Sequence, residues 1–330
     1  MCNSTKTINY YNAQDITGWQ GIRSLDKHNY MITGTRIRDG ILNIGPITYN
    51  PLNNYIIKYP GASSSSIYGP DAKKGTTKSI LQNKSSFKLV GSYTNENDSN
   101  TYGMIYQGKL SDINNPLFYK TIVTGGKYTY VHSVMKKLAV LNYDSPAQYN
   151  TYNLPLGPGN AAIYNIKKNT LENIKYPGSI TTTAYGIWHN GDNSYTICGG
   201  YSTKAVEITS IYVNGKPKPI GSGYLVDYDL CTSKFTNWTS FSSTNTEAHF
   251  QGISKYDNKY QVSLDVVNGN ALNGFWLEVK RSKNNFIIKK TVAITYPNST
   301  SCTNDSVANN TVVGIAIVND KLVSYQAKLS

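Results

Sequence analysis

Three segments of this 330-residue chain repeat one another: NNYIIKYPGASSSSIYGP (Asn53 to Pro70), LENIKYPGSITTTAYGIW (Leu171 to Trp188) and KKTVAITYPNSTSCTND (Lys289 to Asp305). In each, an alternating apolar run ends in Tyr-Pro, meets a turn residue, and crosses through a Ser/Thr-rich stretch into another strand. Weaker copies run from Leu117 to Val134 and from Phe235 to Ile253. A period of this kind constrains the fold strongly, because a single supersecondary unit cannot bury its apolar face without stacked neighbours.

The strand after each crossing carries a small residue beside a bulky one, at Gly21, Gly69, Ser133, Gly186, Gly252 and Ala308. These positions lie 48, 64, 53, 66 and 56 residues apart, and returning from Ala308 through the C-terminus to Gly21 takes 43. A second strand follows in every unit (YMITGTR, KLVGSYT, LAVLNYD, YTICGGY, YQVSLDV, TVVGIAI) and then a third, with period-two alternation and Asn, Gly or Asp between runs. No stretch has a helical period with caps. The predicted fold is all-β: a six-bladed β-propeller of four-stranded antiparallel blades forming a single domain over residues 1–330. The blades are expected at about 13–63, 64–126, 127–179, 180–243, 244–300 and 301–330, the last completed by an N-terminal strand at about 5–12. Closing the ring in this way pairs edges that would otherwise be free.

Charged residues make up only 15% of the chain, yet the formal charge is +13 with a pI near 9.3. The lysines are scattered rather than gathered in a tract, so the excess reads as a solvated surface, with attraction to nucleic acid or acidic glycan as the alternative. The seven Asn-x-Ser/Thr sequons (at Asn3, Asn83, Asn97, Asn237, Asn298, Asn304 and Asn309) are what chance expects from 37 asparagines, and they say nothing about secretion. The opening MCNSTKTINYY lacks the charged and apolar regions of a Sec-type signal, and no apolar run is long enough to span a bilayer. Four cysteines show no CxxC spacing; Cys198 and Cys231 share one unit and are the candidate disulfide.

The chemical candidates are few. His132 and His249 fall on or near inner strands and, with Glu247 and Asp305, are the candidate metal ligands, although no HxH or HExxH spacing is present and no cofactor is implied. A glycoside hydrolase or lyase on an axial acidic site would draw on Asp71, Glu247 and Asp305, less readily on Asp15, since that chemistry needs paired carboxyl groups. Tyr68, Tyr185 and Trp188, with Trp19 and Phe250, recur near one column of the inner strands, where they either stack on a ligand beside His132 and His249 or pack between blades. No GxSxG, P-loop or GxGxxG motif is present.

Over Tyr176 to Phe241, the motifs Tyr-Pro-Gly-Ser, TAYGIWHNG, YTICGGYS, GYLVDYD and NWTSF resemble a poorly characterised group of β-propeller repeat proteins of bacteria and of giant DNA viruses of amoebae. The resemblance implies a propeller, no agreed enzyme activity, no functional residues to carry over, and a place in or on a virion. The expected function is therefore a non-enzymatic structural or binding module. It would meet a protein partner, itself or a glycan through the long segments Ser63 to Ser86, Tyr143 to Asn160 and Ser202 to Ser222.

Overall fold

A computed structural model describes residues 7–13, 16–48, 51–96, 98–144, 159–203, 221–241, 248–268 and 271–330. Six antiparallel sheets follow one another along the chain. Strand β1 (Ile8–Ala13) stands apart at the start; blade 1 is β2 (Gly18–Ser24), β3 (Asn29–Arg36), β4 (Asp39–Pro46) and β5 (Asn54–Ile57). Blade 2 is β6 (Ser64–Asp71), β7 (Phe87–Thr94), β8 (Thr101–Gly108) and β9 (Tyr119–Ile122), with a short helix α1 (Thr77–Leu81) between its first two strands. Blade 3 is β10 (Thr129–Met135), β11 (Leu138–Tyr143), β12 (Asn160–Asn165) and β13 (Thr170–Ile174). Blade 4 is β14 (Thr181–Gly191), β15 (Ser194–Ser202), β16 (Ser222–Asp229) and β17 (Lys234–Phe241). Blade 5 is β18 (Ala248–Tyr256), β19 (Lys259–Asn268), β20 (Ala271–Ser282) and β21 (Asn285–Ile294). In blade 6 the inner strand is split into β22 (Ser301–Cys302) and β23 (Ser306–Ala308), followed by β24 (Thr311–Val318) and β25 (Lys321–Leu329).

The fourth strand of blade 6 is β1, in register from Ile8 opposite Leu329 to Ala13 opposite Ser324. The six-bladed fold and its closure by the N-terminal strand are thus as the repeats predicted. Apolar faces meet between blades rather than within one: Trp19, Ile22 and Ile41 of blade 1 pack with Ala308 and Val313 of blade 6, and Cys198 and Leu225 of blade 4 with Phe250 and Val262 of blade 5. Among the described residues no helix is long and apolar enough to cross a membrane.

The Tyr-Pro motif is a turn between blades. The N–H groups of Ala62, Ser179 and Ser299 donate to the carbonyls of Tyr59, Tyr176 and Tyr296 at 3.0, 3.0 and 3.1 Å. Proline fixes the first central residue, while Gly61, Gly178 and Asn298 take φ of 81°, 74° and 61° at the second, which is the type II turn. These turns join blades 1 to 2, 3 to 4 and 5 to 6, so the strongest sequence repeat is a pair of blades repeated three times. Tyr59 stacks on Tyr93 at 3.8 Å and Tyr176 on Tyr201 at 3.6 Å, whereas Tyr296 meets Tyr10 of the closing strand edge-on at 5.6 Å.

In one detail the structure corrects the repeat. The small residue of blade 6 is Ser306, not Ala308: it opposes Val313 one place after an irregularity, just as Gly21, Gly69, Ser133, Gly186 and Gly252 do in their blades.

Candidate functional site: the axial pocket

Every inner strand carries one extra residue at the same place. The ladder skips Gln20 between Trp19 and Gly21, Tyr68 between Ile67 and Gly69, His132 between Val131 and Ser133, Tyr185 between Ala184 and Gly186, and Gln251 between Phe250 and Gly252. In blade 6, Cys302 opposes Ala316 and Ser306 opposes Val313, four residues against three, and Asp305 takes the corresponding place. A bulge leaves its extra residue unpaired and re-aims its side chain. Here all six are half-buried and line one cavity of about 390 Å³ on the propeller axis, together with Ile22, Arg23 and Tyr130.

The pocket has two unlike walls. Blades 2 to 4 supply an aromatic arc: Tyr68 lies 5.1 Å from His132 and nearly parallel to it, His132 meets Tyr185 edge-on at 4.7 Å, and Tyr185 lies 5.6 Å from His249. Tyr68 is anchored by a 2.8 Å hydroxyl bond to Ser92. Blades 5, 6 and 1 supply the polar arc of Gln251, Asp305 and Gln20. Gln251 Nε2 donates to Asp265 Oδ2 at 3.1 Å and lies 2.6 Å from His249 Nε2, which must therefore be an unprotonated acceptor. Asp265 also accepts the Asn304 N–H at 2.7 Å.

At one end Arg23 crosses the axis. Its Nε donates to the Pro70 carbonyl at 3.3 Å, its Nη2 to the Val134 carbonyl at 3.2 Å, and its guanidinium carbon lies 5.4 Å from the Trp188 ring centroid. One side chain of blade 1 thus engages blades 2, 3 and 4.

Burial sets the protonation of the site. It drives His132 down to about 3 and His249 to about 4, so both imidazoles are neutral at ordinary pH. It raises Asp265 to about 7, and burial with the neighbouring Asp265 charge carries Asp305 well above the ordinary carboxylate range. Between about pH 4 and 6.5, where unfolded aspartates have lost their protons and unfolded histidines keep theirs, the two sets oppose each other. Above about pH 6.5 only the acids still titrate in the folded state, and the stability they contribute is lost as pH rises through about 7. Thermal denaturation is expected to show wild type less stable at pH 8 than at pH 6, with the decline reduced in Asp305→Asn; an equal decline in both proteins would refute this assignment.

The expected site residues separate clearly. Tyr68, His132, Tyr185 and Asp305 line the pocket, His249 stands behind Tyr185, and Trp188 lies under Arg23. Trp19 and Phe250, each one residue before a bulge, are fully buried between blades. Asp71 does not line the pocket: it is 6% exposed, accepts the Lys136 N–H at 2.9 Å and pairs with Lys88 at 3.9 Å. Glu247 and Asp15 lie outside the described residues. His132 and His249 do not converge on an ion, because the Tyr185 ring sits between them, and no metal-holding cluster of three ligands occurs among the described residues. The expected Cys198–Cys231 bridge is absent: both thiols are free, Cys198 buried against Gly186 and Cys231 exposed on the turn after β16.

No protein-family model matches the sequence, and no curated protein matches it. Among solved structures, the chain is similar over 92% of its length to 77% of an ulvan lyase of the polysaccharide lyase family PL25, with 10% identity and a TM-score of 0.48. It is also similar over 98% of its length to the whole of a Thermus thermophilus protein assigned to the oxidoreductases (glucose dehydrogenase), with 6% identity and a TM-score of 0.45. At these identities the likeness is one of shape. Gln20, Arg23, Tyr130, Gln251 and Asp265 are the site residues that the sequence did not single out as such; the signal for the two glutamines was their place just before Gly21 and Gly252.

Proposed function

We propose that this propeller is a binding module whose axial pocket takes a saccharide unit or a closely similar polar ring. The observation that carries this reading is the set of six bulge residues, one from each blade, aimed into one cavity. The cavity is lined by Tyr, His, Gln and Asp, side chains able to stack on and hydrogen-bond to a polar ligand. Its volume of about 390 Å³ falls within the roughly 300–1,000 Å³ of small-molecule sites. The aromatic arc offers flat faces to the C–H side of a sugar ring, and Gln20, Gln251 and Asp305 offer donors and acceptors to its hydroxyls. Hydrolysis is less well supported, because Asp71 is committed to Lys136 and Lys88 and leaves Asp305 without that second carboxylate in the pocket.

Isothermal titration with a panel of mono- and disaccharides tests the reading. Binding is expected in wild type and should weaken about tenfold, or about 1.4 kcal/mol, in Tyr185→Ala and Tyr68→Ala. Absence of binding across the panel, or binding by both variants as tight as by wild type, would overturn it.

A further inference from the structure

Arg23 is only 8% exposed. Buried cations are as a rule paired, because an isolated charge taken from water is costly. Arg23 is not paired: its two hydrogen bonds go to neutral carbonyls, and among the described residues no carboxylate lies within ion-pair distance of it. Asp71 favours its charge from further away, while burial lowers its pKa. Neither bond uses Nη1, so both hydrogens of that nitrogen remain uncommitted on a side chain that lines the pocket.

We propose that the ligand of the axial pocket carries a carboxylate, which completes the pairing of Arg23. This rests on the saccharide reading above and narrows it to acidic sugars such as uronates. The planar guanidinium with its free edge matches a planar carboxylate, and its far face is already held by Trp188, so little is left to order on binding. Asp305, the acid nearest this role in the pocket, is held neutral by burial below its raised pKa and does not repel an anion. The neutral His132 and Tyr185 opposite it leave Arg23 as the one cation lining the cavity among the described residues.

The test compares galactose with galacturonate and glucose with glucuronate at pH 6, using the full chain, by isothermal titration. Acetate and inorganic sulfate are titrated separately against the Arg23 Nε–H resonance. The uronates are expected to bind at least tenfold more tightly than their neutral parents. Arg23→Met should erase that difference by weakening uronate binding at least tenfold. Equal affinity for neutral and acidic sugars in wild type overturns the carboxylate assignment and leaves the saccharide reading standing. Failure of all four sugars, with acetate still shifting the Arg23 resonance, overturns the saccharide reading and keeps the carboxylate. A resonance that moves with sulfate but not acetate, or an Arg23→Met protein that keeps the preference for uronates, identifies a different anion or a purely structural arginine and overturns the proposal.

Discussion

Gly21→Ala lowers the free energy of unfolding by about 3 kcal/mol, at the upper end for overpacking a filled site. A β-carbon there would overlap the Tyr68 carbonyl oxygen and stand 2.5 Å from Thr33 Oγ1 and 2.9 Å from the Tyr68 carbonyl carbon. Two of those atoms are backbone of the next blade at its own bulge, so relief requires blades 1 and 2 to separate at the axis. Since Gln20 and Tyr68 are carried on these two strands, the variant should also lose ligand affinity. Gly75→Ala is the control: Gly75 has φ of 76° with nothing near its missing β-carbon, and its cost is backbone strain of roughly 1–2 kcal/mol. Guanidinium denaturation compares the two, and equal losses would show that blade contact at the bulge is not what demands glycine.

Asp227→Ala is expected to cost about 2–3 kcal/mol, because it leaves the buried hydrogen-bond donors around it without their acceptor while Arg281, 37% exposed, regains water. Asp227 is 5% exposed and forms an ion pair with Arg281 of blade 5. It also accepts from Thr196 Oγ1 at 2.8 Å and from Asn237 Nδ2 at 2.7 Å. Tyr260 extends the network, donating to Asn190 at 2.7 Å, and so ties blades 4 and 5 together behind the pocket. The pair Lys259–Glu278, at 3.0 Å with the lysine 48% exposed, gives the contrast: Glu278→Ala should cost under about 1 kcal/mol. Comparable losses in the two variants, measured by the same denaturation, would contradict a special role for the Asp227 network.

The architecture was legible because it is written in repeated local chemistry. Tyr-Pro-Gly and Tyr-Pro-Asn dictate a turn through fixed and positive φ, alternation dictates strands, and a leftover N-terminal strand with a last blade short of one dictates closure. The blade 6 repeat was placed at Ala308, a small residue beside the bulky Val307, rather than at Ser306, because the strand there is broken between β22 and β23 and both positions carry a small residue. The candidate site was half legible. Tyr68, His132, Tyr185 and Asp305 were named from their blades, but Trp19 and Phe250 were grouped with them, and Asp71 was expected to share their pocket.

The reason is the period of two. In a regular strand a one-residue shift exchanges the two faces of the sheet, so a single extra residue decides which side chains meet the axis and which pack between blades. That is why Trp19 is buried while Gln20 lines the pocket, and why Phe250 is buried while Gln251 does. Local turn and strand chemistry in the sequence set the number of blades, their order and, in five of the six, the small residue that lets the inner strand approach the next. Only the tertiary structure decided that six unpaired bulge residues share one cavity and that Arg23 crosses its end without a counterion, because both follow from where distant blades converge on the axis.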